Sequence, residues 1–229
     1  MKTELNQTRG GVNVARRSFL RYAGTGAAAI AVMGAATACH KDRVDVEPGG
    51  NDIGSGDIGI LNYAYALEQL EAAFYTQVVA HPYGGMSGIE TAYLTDIRDH
   101  EVLHRDFFKK ALAGNAIMEL TPDFSKIDFS SRDKVLATAK AFEDLGVQAY
   151  DGAGYLFKSA DYLTIAGKIV SVEARHAALI SNLIDPGSFA SDQVDNNGLN
   201  KVASIADVLP TANLYLKTKV SAQNFNYRP

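Results

Sequence analysis

The sequence predicts an all-α fold: four long helices joined as two antiparallel hairpins through one long crossover, with an irregular C-terminal arm. Three observations carry this. Four stretches of about 24 residues place apolar side chains at three- and four-residue steps without an interior proline. The joints between them are short, long and short. The first pair of stretches also repeats its charged and aromatic pattern in the second pair. Composition agrees, since 229 residues at 47% hydrophobic and 21% charged suit one globular domain with a tail or leader. A single Cys excludes a disulfide framework, a cysteine zinc site and an iron–sulfur cluster.

Residues 1–38 read as an address. They hold five Lys/Arg and one acid, which leaves 17 bases against 25 acids in the remainder. A body carrying −8 argues against nucleic acid as a partner. In ARRSFLRYAG the twin arginines Arg16 and Arg17 precede Phe19 and Leu20, and a run of small apolar residues follows from Ala27 to Cys39. The run is short for a membrane span and ends in small residues, as a cleavable signal does. The pattern resembles a bacterial twin-arginine signal, which implies the twin-arginine translocon as partner and a periplasmic or cell-envelope location. Ala36-Thr37-Ala38 suits ordinary cleavage. The same bond would leave Cys39 as an acylated first residue, so a lipid anchor and a soluble exported form both stay open. Residues 39–56 contain Pro48-Gly49-Gly50 and no apolar period, and read as a flexible tether.

The folded part is expected over 57–184. Helix 1 covers about 57–80 and ends at His81-Pro82. Helix 2 covers about 89–113 and stops at Gly114-Asn115. Helix 3 runs about 131–157 from a Ser130 or Ser131 cap, and helix 4 about 161–184 with Asp161 as cap and Asp185-Pro186-Gly187 as stop. Each would be about 36 Å long. The linker of about 16 residues between helices 2 and 3 reaches about 50 Å, enough to run the length of a bundle. Residues 185–229 read as an arm with one short helix near 198–206.

The chemistry lies at mid-helix. Helix 2 has Glu101 and His104, and helix 4 has Glu173 and His176, each an ExxH pair presenting a carboxylate and an imidazole on one face. Nine Glu and five His placed at random would give about 0.2 such pairs (5 × 9/229). Helix 1 has LEQLEAAFY and helix 3 has FEDLGVQAY, so Glu68 matches Glu143 and Tyr75 matches Tyr150. All four glutamates fall 11 or 12 residues past their helix starts and should meet at mid-bundle. Buried together they need cations, and oxygen and nitrogen donors without thiolate suit iron or manganese. Glu71 lies about 60° off the Glu68 stripe and matches Gly146, which places it on the surface or at the edge of the site. His100 is expected to be solvated, and Tyr63, Tyr65, Phe74, Phe107, Phe108 and Phe142 to be core.

On LEQLEAAFY, DHEVLH, FEDLGVQAY and VEARHAAL, residues 57–184 resemble the ferritin-like superfamily, and more narrowly its exported members related to plant desiccation-associated proteins. The resemblance implies two iron ions, with two manganese ions as alternative. Glu68 and Glu143 would be terminal ligands, Glu101 and Glu173 would bridge, and His104 and His176 would each bind one ion. Tyr75 and Tyr150 would hydrogen-bond the glutamate of the facing helix. Before the two ExxH glutamates, where an aspartate often orients a histidine in such sites, stand His100 and Val172. No CxxC pair is present for a rubrerythrin-type electron-transfer domain. Three functions follow: a di-iron oxidoreductase acting on dioxygen, peroxide or Fe(II); a di-manganese catalase-like enzyme; or a non-catalytic envelope protein of stress or desiccation protection.

Overall fold

The computed structural model describes residues 50–190 and 192–225. The signal with Arg16 and Arg17, Cys39, and the tether up to residue 49 lie outside the described residues. In chain order the elements are β1 (Gly50–Asp52), α1 (Gly56–Ala80), α2 (Gly88–Leu112), α3 (Arg132–Gly154), α4 (Ala160–Ile184), α5 (Ile205–Ala212) and β2 (Lys219–Ser221). Single 3-10 turns cover Ala113–Asn115 and Asn213–Tyr215.

Serines start four of the helices. The side chains of Ser87, Ser131, Ser159 and Ser204 each accept a backbone N–H from the first turn of α2, α3, α4 and α5. Each satisfies a donor that the helix itself leaves open. Helix α4 is therefore capped by Ser159, not by the expected Asp161, which sits in the first turn. At the head of α2 the box is reciprocal: Glu90 accepts the Ser87 N–H and also pairs with Arg132, 2.6 Å away at the start of α3. That ion pair joins the two hairpins.

The long helices pack as α1 against α2 and α3 against α4. Helix α1 buries 17 of its 25 residues and α2 only six, so α1 is wrapped on all sides and α2 faces water. Part of the wrapping is the crossover. Asn62 donates to the Asn115 carbonyl at 2.9 Å and accepts from the Ile117 N–H at 2.9 Å. Seven residues on, the Gln69 side chain accepts from the Leu120 N–H at 2.8 Å. Two amide side chains on one stripe of α1 thus satisfy the main chain of the extended segment.

Two expectations for the flanks change. The tether ends earlier, because Gly50–Asp52 pairs in parallel with Lys219–Ser221 and Ile53 is 0% exposed. A three-residue strand has too few positions to show a period. The short helix of the arm lies at 205–212, not 198–206, started by a Ser204/Asp207 capping box. Ile205, Val208, Leu209 and Ala212 are buried. The arm crosses α3 where Ala203 donates to the Gln148 carbonyl at 3.0 Å. There a Cβ on Gly152 would lie 1.9 Å from the Ala203 carbonyl oxygen, so only glycine allows the approach. Of the expected core aromatics, Tyr63, Tyr65, Phe74, Phe108 and Phe142 are buried. Phe107 is 42% exposed, on the outer face of α2.

Candidate metal centre

Glu68, Glu101, Glu143 and Glu173 stand near the midpoints of α1, α2, α3 and α4 and are each 0% exposed. Helix pairing brings all four together with both imidazoles. His104 Nδ1 lies 2.8 Å from Glu173 Oε1, 3.4 Å from Glu68 Oε2 and 3.7 Å from Glu101 Oε2. His176 Nδ1 lies 2.9 Å from Glu101 Oε1, 3.5 Å from Glu143 Oε2 and 3.6 Å from Glu173 Oε2. The donors fall into two sets of four residues, Glu68–Glu101–His104–Glu173 and Glu101–Glu143–Glu173–His176, each set within 4.8 Å. Glu101 and Glu173 belong to both.

The eight atoms that face inward have no hydrogen-bond partner among the described residues: Oε2 of Glu68 and Glu143, both oxygens of Glu101 and Glu173, and Nδ1 of both histidines. Buried polar atoms are nearly always satisfied, so eight such atoms in two overlapping sets are compatible with a metal site. The outward oxygens are satisfied. Tyr75 on α1 donates to Glu143 Oε1 at 2.5 Å, and Tyr150 on α3 donates to Glu68 Oε1. Each tyrosine thus leaves its glutamate one oxygen for the cluster.

A family model of the ferritin-like domain matches residues 56–186, from the first residue of α1 to just beyond α4. The chain belongs to the ferritin-like domain family. No curated protein matches it.

The electrostatics of this ferritin-like domain show what the cluster needs. Burial pushes Glu68 well above the ordinary carboxylate range, and the neighbouring charge of Glu173 adds to it. Burial likewise pushes Glu143 up to about 8, against the pull of His176. Burial also opposes ionisation of Glu101, yet the two imidazoles beside it hold it at about 2. Burial disfavours charge on His104 and His176, but the carboxylates around them push both up to about 12. Charge on the two imidazoles thus balances part of the carboxylate charge around them. Tyr75 and Tyr150, raised by burial and by their glutamates, stay protonated as donors.

One residue departs from expectation and a second narrows it. His100 is exposed at its edge but not simply solvated: its Nδ1 lies 2.9 Å from His176 Nε2, with the rings nearly parallel at 9°. It is the outer partner of His176 that sequence alone left unidentified. His104 has no such partner among the described residues, and the position matching His100 is Val172. Glu71 takes the second of its two expected places, the edge of the site, and not the surface. It is 4% exposed, and its Oε1 lies 3.1 Å from where a Cβ on Gly146 would stand. Burial and the cluster's carboxylates push Glu71 well above its ordinary value, so it is held protonated. Its signal was the pairing with Gly146, because a missing side chain on the facing helix makes room for an extra one. The signal for Asn62 and Gln69 is two amides seven residues apart on one stripe of a helix that is buried over most of its length.

Proposed function

We propose that the cluster is a dinuclear metal centre, iron in both positions with manganese as the alternative, in an exported ferritin-like oxidoreductase. Its substrates are dioxygen, peroxide or Fe(II). The observation that carries it is the set of eight orphaned inward donors in two overlapping groups of four. Four carboxylates offset the +4 of two divalent ions, and the oxygen–nitrogen donor set fits iron and manganese. Such ions, when bound, supply one-electron redox change and Lewis acidity. The chain's own share is preorganisation. Tyr75 and Tyr150 fix Glu143 and Glu68, His100 orients His176, and burial of all four glutamates excludes water. A catalase-like di-manganese enzyme would use the same donors.

Metal analysis of purified protein, followed by oxygen electrode traces with dioxygen and with hydrogen peroxide, tests this. Two ions per chain and oxygen uptake are expected; oxygen release from peroxide would favour the manganese alternative. Protein that takes up neither Fe(II) nor Mn(II) would leave only a non-catalytic stress- or desiccation-protection role. Export through the twin-arginine translocon and envelope location rest on Arg16 and Arg17, and lipid anchoring on Cys39. Lys at both arginines should hold the precursor in the cytoplasm, and Cys39→Ser should release it from the membrane fraction.

A further inference from the structure

Positions within α1 have counterparts 75 residues on in α3, and positions within α2 have counterparts 72 residues on in α4, as Glu68/Glu143 and Glu101/Glu173 show. At the Glu143 end of the bundle, Phe74, Val78 and Leu94 are 0, 1 and 0% exposed. The Phe74 ring packs on Phe142, Phe129 and Phe124 at 5.1, 5.8 and 5.9 Å. The counterparts at the Glu68 end are Ala149, Ala153 and Ala166. Three large side chains in one half are alanines in the other. With Ala64, Phe108 and Tyr150, these alanines line a small, mostly apolar cavity with room for about one water-sized molecule.

The cavity meets the cluster through one side chain. Tyr150 lines it with its ring and holds Glu68 with its hydroxyl. Tyr63 also lines it, is 2% exposed, and has a hydroxyl without a hydrogen-bond partner among the described residues. It is a buried donor of the kind that a ligand acceptor would satisfy.

We propose that this cavity binds dioxygen and delivers it to the Glu68–His104 side of the centre, an inference that rests on the metal-centre reading. An apolar cavity stays dry and takes apolar guests. Hydrogen peroxide would bring two hydroxyl groups, of which the lone Tyr63 hydroxyl in an otherwise apolar wall satisfies one at most, whereas dioxygen has none to satisfy. At the Glu143–His176 side the positions that match these alanines are filled by Phe74, Val78 and Leu94.

Crystals of the purified protein held under xenon should show a xenon atom bounded by Ala149, Ala153 and Ala166. Xenon at the same pressure should slow dioxygen consumption by the Fe(II)-loaded protein. In Ala153→Val and Ala166→Leu, which restore the bulk of Val78 and Leu94, xenon should be lost and iron content kept. Dioxygen consumption should then fall about tenfold or more. A wild-type cavity that takes no xenon overturns the proposal, as do oxygen rates indifferent both to xenon and to the filling substitutions. Failure of the metal-centre reading looks different: a protein that binds xenon but holds no iron.

Discussion

The two halves of the bundle carry the same set of cluster residues in different surroundings. Glu68, Tyr75, Glu101 and His104 in the first hairpin match Glu143, Tyr150, Glu173 and His176 in the second. Around them the halves diverge. His176 leans on His100 while His104 has no equivalent, Glu71 faces Gly146, and Phe74 is matched by Ala149. Charge balance and donor geometry act on these four pairs of residues, so those stay alike in a doubled unit. The packing around them answers to each half's own neighbours. Likeness in the cluster and unlikeness around it therefore report two separate constraints.

The strongest test separates shared from unshared donors. Glu101→Ala leaves both donor sets one short, whereas Glu68→Ala leaves the Glu143–His176 set complete. Metal content after gel filtration should fall toward zero in the first variant and to about one ion per chain in the second. Equal losses would mean that the two sets do not overlap as the distances indicate.

Acid–base behaviour follows with a definite sign. Glu143 rises from 4.5 to about 8 on folding without metal, so its contribution is unfavourable above the ordinary glutamate value and grows up to pH 8. Glu68 acts in the same direction. The histidines, raised from 6.5 to about 12, stabilise the metal-free fold below pH 6.5 and lose that contribution as pH climbs toward 12. All four push one way between pH 5 and 7.5. Calorimetry with and without chelator should show a gap in melting temperature that widens from pH 5 to 7.5. The gap should narrow in Glu143→Gln. Below pH 4.5 the metal-free protein should weaken again as Glu101, held at about 2, takes up its proton.

The asymmetry in outer partners predicts a smaller, one-sided effect. His100→Ala frees His176 alone, so titration calorimetry should show one ion bound about 10- to 100-fold more weakly and the other unchanged. Loss at both positions would instead point to a general loosening of α2. The tyrosines should behave as equals. Tyr75→Phe and Tyr150→Phe each strip one buried glutamate oxygen of its donor, and thermal denaturation should place both losses at about 1–3 kcal/mol.

Much of this was legible in the sequence, and the reasons are local. The four helices showed themselves by period and by breaks such as Gly114-Asn115, and the six cluster residues by two ExxH pairs and two E-x6-Y runs that fall at mid-helix. What escaped notice depends on where another segment lies. His100 stands one residue before Glu101, off the ligand stripe, and only the closeness of α4 gives it His176 to lean on. Glu71 is buried because Gly146 faces it. The pairing of Gly50–Asp52 with Lys219–Ser221 joins segments 169 residues apart, as the Asp52–Ser221 hydrogen bond shows, with no local pattern in either. The alanines at 149, 153 and 166 look like ordinary helix formers until set beside Phe74, Val78 and Leu94.

That strand pair also orders events in time. Hairpin contacts are local and form early, whereas a pairing between residues 52 and 221 must wait until the chain exists as far as residue 221. Until then Ile53 lacks its cover and the end of α1 near Gly59 lacks Phe225, whose ring stands 2.9 Å from where a Cβ on Gly59 would lie. The arm thus covers what the hairpins leave open beside the entry to α1. A chain cut short of Lys219 can build its hairpins and its cluster of carboxylates, but it leaves an apolar side chain and a row of unpaired main-chain groups beside the entry to α1. Those are the features by which unfinished proteins are captured or degraded.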